Sequence, residues 1–285
     1  MKRIAAVLLM GIAFAPQLFA GDRWLTSLDQ AEKIARAKNQ LIFVDLFAEW
    51  CGWCHRMESD VFPTAEFQKA TSNMVLLRLD TEDRKEGTQF ARTYEITQLP
   101  TFLVLEPDLS LAGTIRGYAP APQFVYQMKL VIAENAQYRK LVGDEAAIAN
   151  DYSKRLTLIE EMIDRRSFAD ADKRVKKLIS EKATPAEIRS EAYYQLAFLQ
   201  VKQRKFDDAV STIHDCTTRK HGDAVERCYL LLGQIDLSQG KLKDALDEFV
   251  RFKVRFPDSP HVREIDSFLP QLETAVANAA AAQGQ

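Results

Sequence analysis

The stretch VDLFAEWCGWC, residues 44–54, decides the fold of the first half of this chain. It completes an apolar run, residues 41–46, of the kind typical of a strand covered on both faces by helices. A helical stretch follows directly and begins at Cys51. Both cysteines therefore lie in a first helical turn, where unpaired N–H groups and the helix dipole stabilise negative charge.

The positions of the two cysteines predict different roles for them. Cys51, at the helix start, is expected to have the lower pKa and to be the nucleophile. Cys54, one turn further in, is expected to be the resolving thiol that attacks the mixed disulfide between Cys51 and a substrate. Gly52 allows a substrate backbone to approach closely. We interpret Trp50 and Trp53 as substrate contacts, with a core position as the alternative for Trp53.

Asp45 stands inside the apolar strand. A carboxylate there costs several kcal/mol of desolvation unless it has a partner or a task. Because burial raises the pKa of a carboxyl group, Asp45 is a candidate proton acceptor for Cys54. The alternative interpretation is a surface aspartate on an edge strand.

Leu99 and Pro100 precede a later strand. The proline can form a tight bend beside the thiols and leave the Leu99 backbone available to an extended substrate. Both residues are therefore predicted substrate contacts. The sequence leaves open whether the Leu99–Pro100 bond is cis.

Helical and strand patterns alternate on both sides of this stretch and predict an α/β fold, a mixed sheet flanked by helices. The predicted strands are 41–46, 74–79, 101–105 and 112–118, and the predicted helices are 28–37, 51–70, 84–94 and 122–134.

Residues 44–54, together with Leu99-Pro100-Thr101, Gly113 and Gly117, resemble the thioredoxin family over about residues 22–134. The resemblance implies a thioredoxin fold and dithiol–disulfide exchange with protein thiols and disulfides. It assigns Cys51, Cys54, Asp45 and Pro100 the roles given above and requires no cofactor beyond the cysteine pair.

One departure concerns the direction of electron transfer. Trp53 stands where thioredoxin itself has proline. The segment 54–58 with Phe62 looks closer to periplasmic domains that receive electrons from membrane thiol transporters. Such a transporter is therefore the predicted electron donor, and reduction or isomerisation is favoured over net oxidation.

The amino terminus predicts the compartment. Residues 1–20 combine Lys2 and Arg3 with a short apolar stretch and a small residue before Gly21, the pattern of a cleaved signal peptide. An uncleaved anchor is the alternative. We expect a periplasmic or secreted protein, in a space where disulfides persist. The formal net charge of −2 argues against a nucleic-acid partner.

The second half is predicted to be an all-α helical-hairpin repeat domain. Ala171, Ala209 and Ala245 recur in similar surroundings 38 and 36 residues apart. Residues 226–257 resemble a tetratricopeptide repeat, which implies a peptide or protein partner, and a plain helical bundle is the alternative. We expect a thioredoxin-like domain at 22–135, a connecting helix at 136–150, repeats at 151–272 and a disordered alanine-rich tail at 273–285.

Cys216 and Cys228 form the second cysteine pair. They lie late in one predicted helix and early in the next, so a structural disulfide is compatible with their spacing. The alternatives are two buried free thiols or a second redox centre.

Three other interpretations of the first cysteine pair remain open. Residues 51–55 also match the haem-attachment pattern Cys-x-x-Cys-His, with His55 as the iron ligand. A zinc site would need two further soft ligands, of which His55 is one candidate, but the sequence has no second Cys-x-x-Cys, so no metal is expected. The chain can also be a protein-interaction scaffold whose thiols are regulatory or vestigial.

Overall fold

The computed structural model describes residues 23–219 and 222–283. The chain divides after Glu134 into two compact units. The predicted signal peptide, residues 1–20, lies outside the described residues. Among the residues described, no helix is both long and apolar enough to cross a membrane.

The first unit alternates strands and helices. Its strands are β1 (Trp24–Leu25), β2 (Ile42–Phe47), β3 (Val75–Asp80), β4 (Thr101–Leu105) and β5 (Leu111–Arg116). Its helices are α1 (Leu28–Lys38), α2 (Gly52–Asp60), α3 (Ala65–Ala70), α4 (Glu86–Thr93) and α5 (Ala121–Gly143), the last of which ends in the second unit.

The strands form one mixed sheet in the order β1-β3-β2-β4-β5. Strand β3 pairs parallel with β1 and β2, and β4 pairs antiparallel with β2 and β5. The predicted mixed sheet with flanking helices is therefore confirmed. The central strand β2 leads directly to the two cysteines.

Apolar side chains cover both faces of the sheet, as the apolar run in β2 predicts. Because side chains alternate along a strand, Phe43 points to one face and Val44 to the other. Phe43 packs in a cluster with Met57 of α2 and Phe124 of α5. Val44 packs in a second cluster with Ala31 of α1.

Two details of this unit differ from the prediction. Strand β1 has only two residues, too short to show any periodicity, and is defined by its pairing with β3. The helix expected over 51–70 is divided into α2 and α3, with Pro63 between them. Proline lacks the N–H that a continuous helix needs and disfavours helical geometry in the residue before it.

Every secondary-structure element in the described residues of the second unit is a helix, which confirms the predicted all-α region. Its elements are a 3-10 turn (Glu145–Ile148), α6 (Tyr152–Asp164), α7 (Phe168–Ser180), α8 (Ala186–Lys202), α9 (Phe206–Arg219), α10 (Ala224–Ser238), α11 (Leu242–Arg255) and α12 (His261–Gln283).

These helices pack as stacked hairpins do. Each helix contacts the next in the chain, and α8 also contacts both α6 and α10. The repeated alanines Ala171, Ala209 and Ala245 are fully buried in α7, α9 and α11. A Cβ on Gly233 would lie 2.7 Å from the Phe249 ring, so a larger residue there would have to displace that ring. The tetratricopeptide assignment itself stays a prediction.

Two expected segments take another form. The separate connecting helix at 136–150 is instead the end of α5 followed by the 3-10 turn. The tail expected to be disordered is helical to Gln283, as part of α12. Alanine has the highest intrinsic helix propensity, so an alanine-rich run that continues a packed helix prolongs it.

Candidate active site

Cys51 and Cys54 form a disulfide at the start of α2, with their Cα atoms 5.3 Å apart. Cys51 is the N-cap of the helix, and its Sγ accepts a hydrogen bond from the Cys54 backbone N–H at 3.2 Å. A sulfur in this position receives the N–H donors that a helix leaves unpaired. The arrangement predicted from residues 44–54 is therefore present.

The disulfide lies just beneath the surface. Cys51 is 4% exposed and Cys54 2% exposed. A Cβ added to Gly52, between them, would meet no atom within 4 Å. An approaching chain therefore finds open space beside Cys51.

Asp45 lies in the central strand β2 and is 2% exposed, so the surface alternative does not apply. It shares the sheet face of Phe43, on which Met57 of α2 packs. The carboxylate therefore faces the layer that contains α2. Burial raises the pKa of Asp45 to about 7, with Arg78 lowering it and Glu58 raising it to smaller extents.

Arg78 is the partner of Asp45 across β2 and β3. Its Nε lies 3.3 Å from Oδ2 of Asp45. The contact is electrostatic, because neither that Nε nor Oδ1 of Asp45 makes a hydrogen bond with the described residues.

The hydrogen bonds of Arg78 go to Glu58 of α2, at 2.6 and 2.9 Å. These bonds lower the pKa of Glu58. Arg78 and Glu58 are not among the site residues predicted from the sequence. The available signal was Arg78 itself, a charged residue in an apolar strand.

Leu99 and Pro100 lie at the same edge of the sheet as the cysteines. Leu46, near the end of β2, pairs with Thr101, the first residue of β4. The Leu99–Pro100 bond is cis, which the sequence left open. The Pro100 carbonyl accepts a hydrogen bond from the Gly117 N–H at 2.9 Å. This bond joins the proline loop to the loop after β5.

The two tryptophans beside the cysteines are exposed, Trp50 by 68% and Trp53 by 57%, so Trp53 is not a core residue. Trp50 donates from Nε1 to Glu82 Oε1 at 2.8 Å. The Trp53 ring lies against Tyr118, with centroids 5.2 Å apart. The rings at the site are therefore both accessible and held in place.

His55 follows Cys54 and is exposed. Its Nε2 lies 2.8 Å from the Glu49 carbonyl oxygen, a hydrogen bond if that nitrogen carries the proton. The described residues contain no group of three His, Cys, Asp or Glu side chains placed to hold a metal ion.

Cys216 and Cys228 are also disulfide-bonded, and both are fully buried. The bond joins α9 to α10. Neither cysteine lies in the first turn of its helix. This pair therefore lacks the electrostatic environment that surrounds Cys51.

A family model described as Thioredoxin-like matches residues 23–107. Thioredoxin-1 of Drosophila melanogaster is 36% identical over 88 residues, which cover 31% of this chain and 78% of the fly protein. The chain belongs to the thioredoxin family. The resemblance seen in the sequence is confirmed, and with it the assignment as a thiol–disulfide oxidoreductase of this family.

Other similar proteins include a further curated relative and two solved structures. Thiol:disulfide interchange protein DsbD of Colwellia psychrerythraea is 37% identical over 120 residues, and the chain spans only 20% of its length. The DsbH oxidoreductase structure has a TM-score of 0.37 at 14% identity and covers 46% of this chain and 95% of its own. A Thermus thermophilus thioredoxin has a TM-score of 0.37 at 23% identity and covers 40% and 88%.

Proposed function

We propose that this member of the thioredoxin family reduces or isomerises protein disulfides in the periplasm or outside the cell. The observation that carries the proposal is the Cys51–Cys54 disulfide at the N-terminus of α2, with Cys51 as the helix cap. The first cysteine is placed for attack and the second, buried one turn later, for resolution.

The cycle starts from the reduced pair. The Cys51 thiolate attacks a substrate disulfide, forms a Cys51–substrate disulfide and expels one substrate thiolate. Cys54 loses its proton and attacks the Cys51 sulfur, which forms Cys51–Cys54 and releases the second substrate thiolate. The substrate gains two electrons, and a dithiol donor must then reduce the enzyme.

Asp45 accepts the Cys54 proton in this scheme. Its pKa of about 7 suits a group that must take and return a proton near neutral pH. Arg78 favours the ionised form of Asp45, but its hydrogen bonds go to Glu58. Glu58 therefore limits how far Arg78 lowers the Asp45 pKa.

We expect Asp45→Asn to slow resolution by about 100-fold at neutral pH, the lower range of general-base effects. Asp45 accepts a proton only when ionised. The wild-type rate should therefore rise as pH increases through about 7 and flatten above it, and the variant should lose this inflection. Stopped-flow measurement of thiol release from the preformed mixed disulfide tests this.

The matched control is Asp29→Asn, which changes an exposed aspartate of α1 that pairs with Lys33. It should keep the wild-type rate and inflection. An unchanged pH profile in Asp45→Asn would remove Asp45 from the mechanism.

Cys54→Ala should hold substrates on Cys51 as mixed disulfides, because the resolving attack is lost. Non-reducing gels and mass spectrometry of the captured species would identify the substrate proteins. Cys51→Ala, which keeps Cys54, is the matched control and should capture none. Equal capture by both variants would contradict the assigned roles.

Two observations support the proposed location in the periplasm or outside the cell. Residues 1–20 have the pattern of a signal peptide. The Cys216–Cys228 disulfide is of a kind that persists where the environment is oxidising.

The chemistry needs no bound cofactor in this proposal, since the cysteine pair carries both electrons. The haem alternative requires both sulfurs and a nitrogen of His55. In the structure the sulfurs are bonded to each other, and His55 Nε2 lies against the Glu49 carbonyl. These contacts favour the redox pair.

The partners are proposed from similarity and from the second unit. The matched relative DsbD is named a thiol:disulfide interchange protein, which supports protein thiols and disulfides as reaction partners. A membrane thiol transporter is the electron donor that we propose. The stacked helices of the second unit are proposed to dock a protein or peptide partner.

A further inference from the structure

A cluster of four residues, three of them exposed and one half-buried, lies beside the active-site disulfide. We name Trp53, Tyr118, Arg56 and Asp60 the ring cluster. Trp53 is the residue between Gly52 and Cys54, Arg56 and Asp60 follow in α2, and Tyr118 comes from the loop after β5.

The contacts within the ring cluster hold Trp53 in place. The Arg56 guanidinium lies 5.9 Å from the Trp53 centroid and 5.4 Å from the Tyr118 centroid. Asp60 Oδ2 accepts from Arg56 Nε at 2.7 Å and from the Tyr118 hydroxyl at 3.4 Å. Each neighbour of the indole is therefore fixed by another member.

Such a side chain is suited to recognition. Trp53 leaves more than half of its surface in water, which is unfavourable for an indole with no partner to cover it. Because the ring is already ordered, a partner that covers it loses little side-chain entropy. Ordered, exposed aromatic residues of this kind commonly supply much of the binding energy at interfaces.

The position of the ring cluster indicates that a bound substrate covers it. Trp53 stands between the two reacting cysteines, so a substrate bonded to Cys51 lies next to it. Tyr118 follows Gly117, whose N–H is bonded to the Pro100 carbonyl. The ring cluster is therefore continuous with the proline loop at the same edge of the sheet.

We propose that the ring cluster selects substrates that carry an aromatic or large apolar side chain beside the reacting cysteine. This substrate side chain packs on Trp53. Tyr118, Arg56 and Asp60 are positioning residues that hold the indole. The inference rests on the proposed function and names its substrate class.

Two peptides test this proposal. Each contains one intramolecular disulfide, and they differ only in the residue after the second cysteine, phenylalanine or serine. Wild-type protein should prefer the phenylalanine peptide by about 10-fold in kcat/KM, within the range of a single apolar contact. The difference in kcat/KM between the two peptides should come from KM and not from kcat. Trp53→Ala and Tyr118→Ala should bring the ratio below about twofold.

Two further variants separate recognition from general damage. Tyr118→Phe keeps the ring and should retain the preference. Tyr126→Ala removes a tyrosine of α5 that is 62% exposed and lies outside the ring cluster, and it should behave as wild type.

The outcomes distinguish this inference from the proposed function. Equal kcat/KM for the two peptides in wild-type protein, or an undiminished preference in Trp53→Ala, would overturn the ring cluster as a selector. Failure of wild-type protein to reduce even a small aromatic disulfide, dithiobis(nitrobenzoic acid), would instead overturn the proposed function.

Discussion

Replacing Cys51 by serine is expected to abolish catalysed disulfide reduction and leave only the rate of the reductant alone. Serine keeps the size and the N-cap preference of the position, so α2 should persist. Its hydroxyl is not ionised at neutral pH and cannot form the mixed disulfide. Cys54 lies inside the helix rather than at its N-cap, so it does not replace Cys51.

An insulin reduction assay with dithiothreitol as the donor measures this loss. A second measurement uses reduced protein without any donor. Wild type should then reduce one substrate disulfide per molecule, and Cys54→Ser should stop at the mixed disulfide. Cys51→Ser should neither reduce the substrate nor form a mixed disulfide. Turnover of Cys51→Ser at the wild-type rate would contradict the mechanism and favour a scaffold whose thiols are not used.

Removal of the second disulfide by the double change Cys216→Ala and Cys228→Ala should destabilise the helical unit by about 3 kcal/mol. The cross-link closes a loop with a sequence separation of 12, and the value follows from the chain entropy that such a loop removes from the unfolded state. Alanine avoids a buried polar group. For a unit of this size, the midpoint of thermal unfolding should fall by about 10 °C.

Circular dichroism at 222 nm follows this transition, because the second unit is helical. Dithiothreitol should lower the wild-type midpoint once the pair is reduced and should leave the double variant unchanged. The control Cys51→Ala with Cys54→Ala removes the other disulfide and should not alter the helical unit. Equal midpoints for wild type and the Cys216/Cys228 variant would show that the bond contributes no stability.

The sequence predicts most of the active site because its strongest signals are local. Cys51 and Cys54 lie at a strand-to-helix junction, and a carboxylate at Asp45 interrupts an apolar strand. Arg78 interrupts β3 in the same way, but its pairing with Asp45 depends on strand register between β2 and β3. Register is a tertiary property, so the ion pair and its link to Glu58 could not be predicted from the pattern alone.

The contrast between local signals and tertiary properties also explains which other features of the structure could be predicted from the sequence. The burial of alanines such as Ala171 could be predicted, because these alanines recur in a repeat that is visible in the sequence. The contact between Trp53 and Tyr118 joins residues far apart in the chain and leaves no periodic signal. The alanine-rich composition at the end of the chain predicts a disordered tail, but α12 continues to Gln283, in keeping with the high helix propensity of alanine.

The burial of Cys216 and Cys228 has a consequence for the life of the molecule. Thiol–disulfide exchange requires one sulfur to reach another in line, and this second bond offers no surface to an incoming thiolate. A cell must therefore oxidise that pair once, while the chain is still folding. Every later transfer of electrons can then pass through the N-terminus of α2 and leave the Cys216–Cys228 bond intact, so the proposed role as a reductant would not cost the helical unit its cross-link.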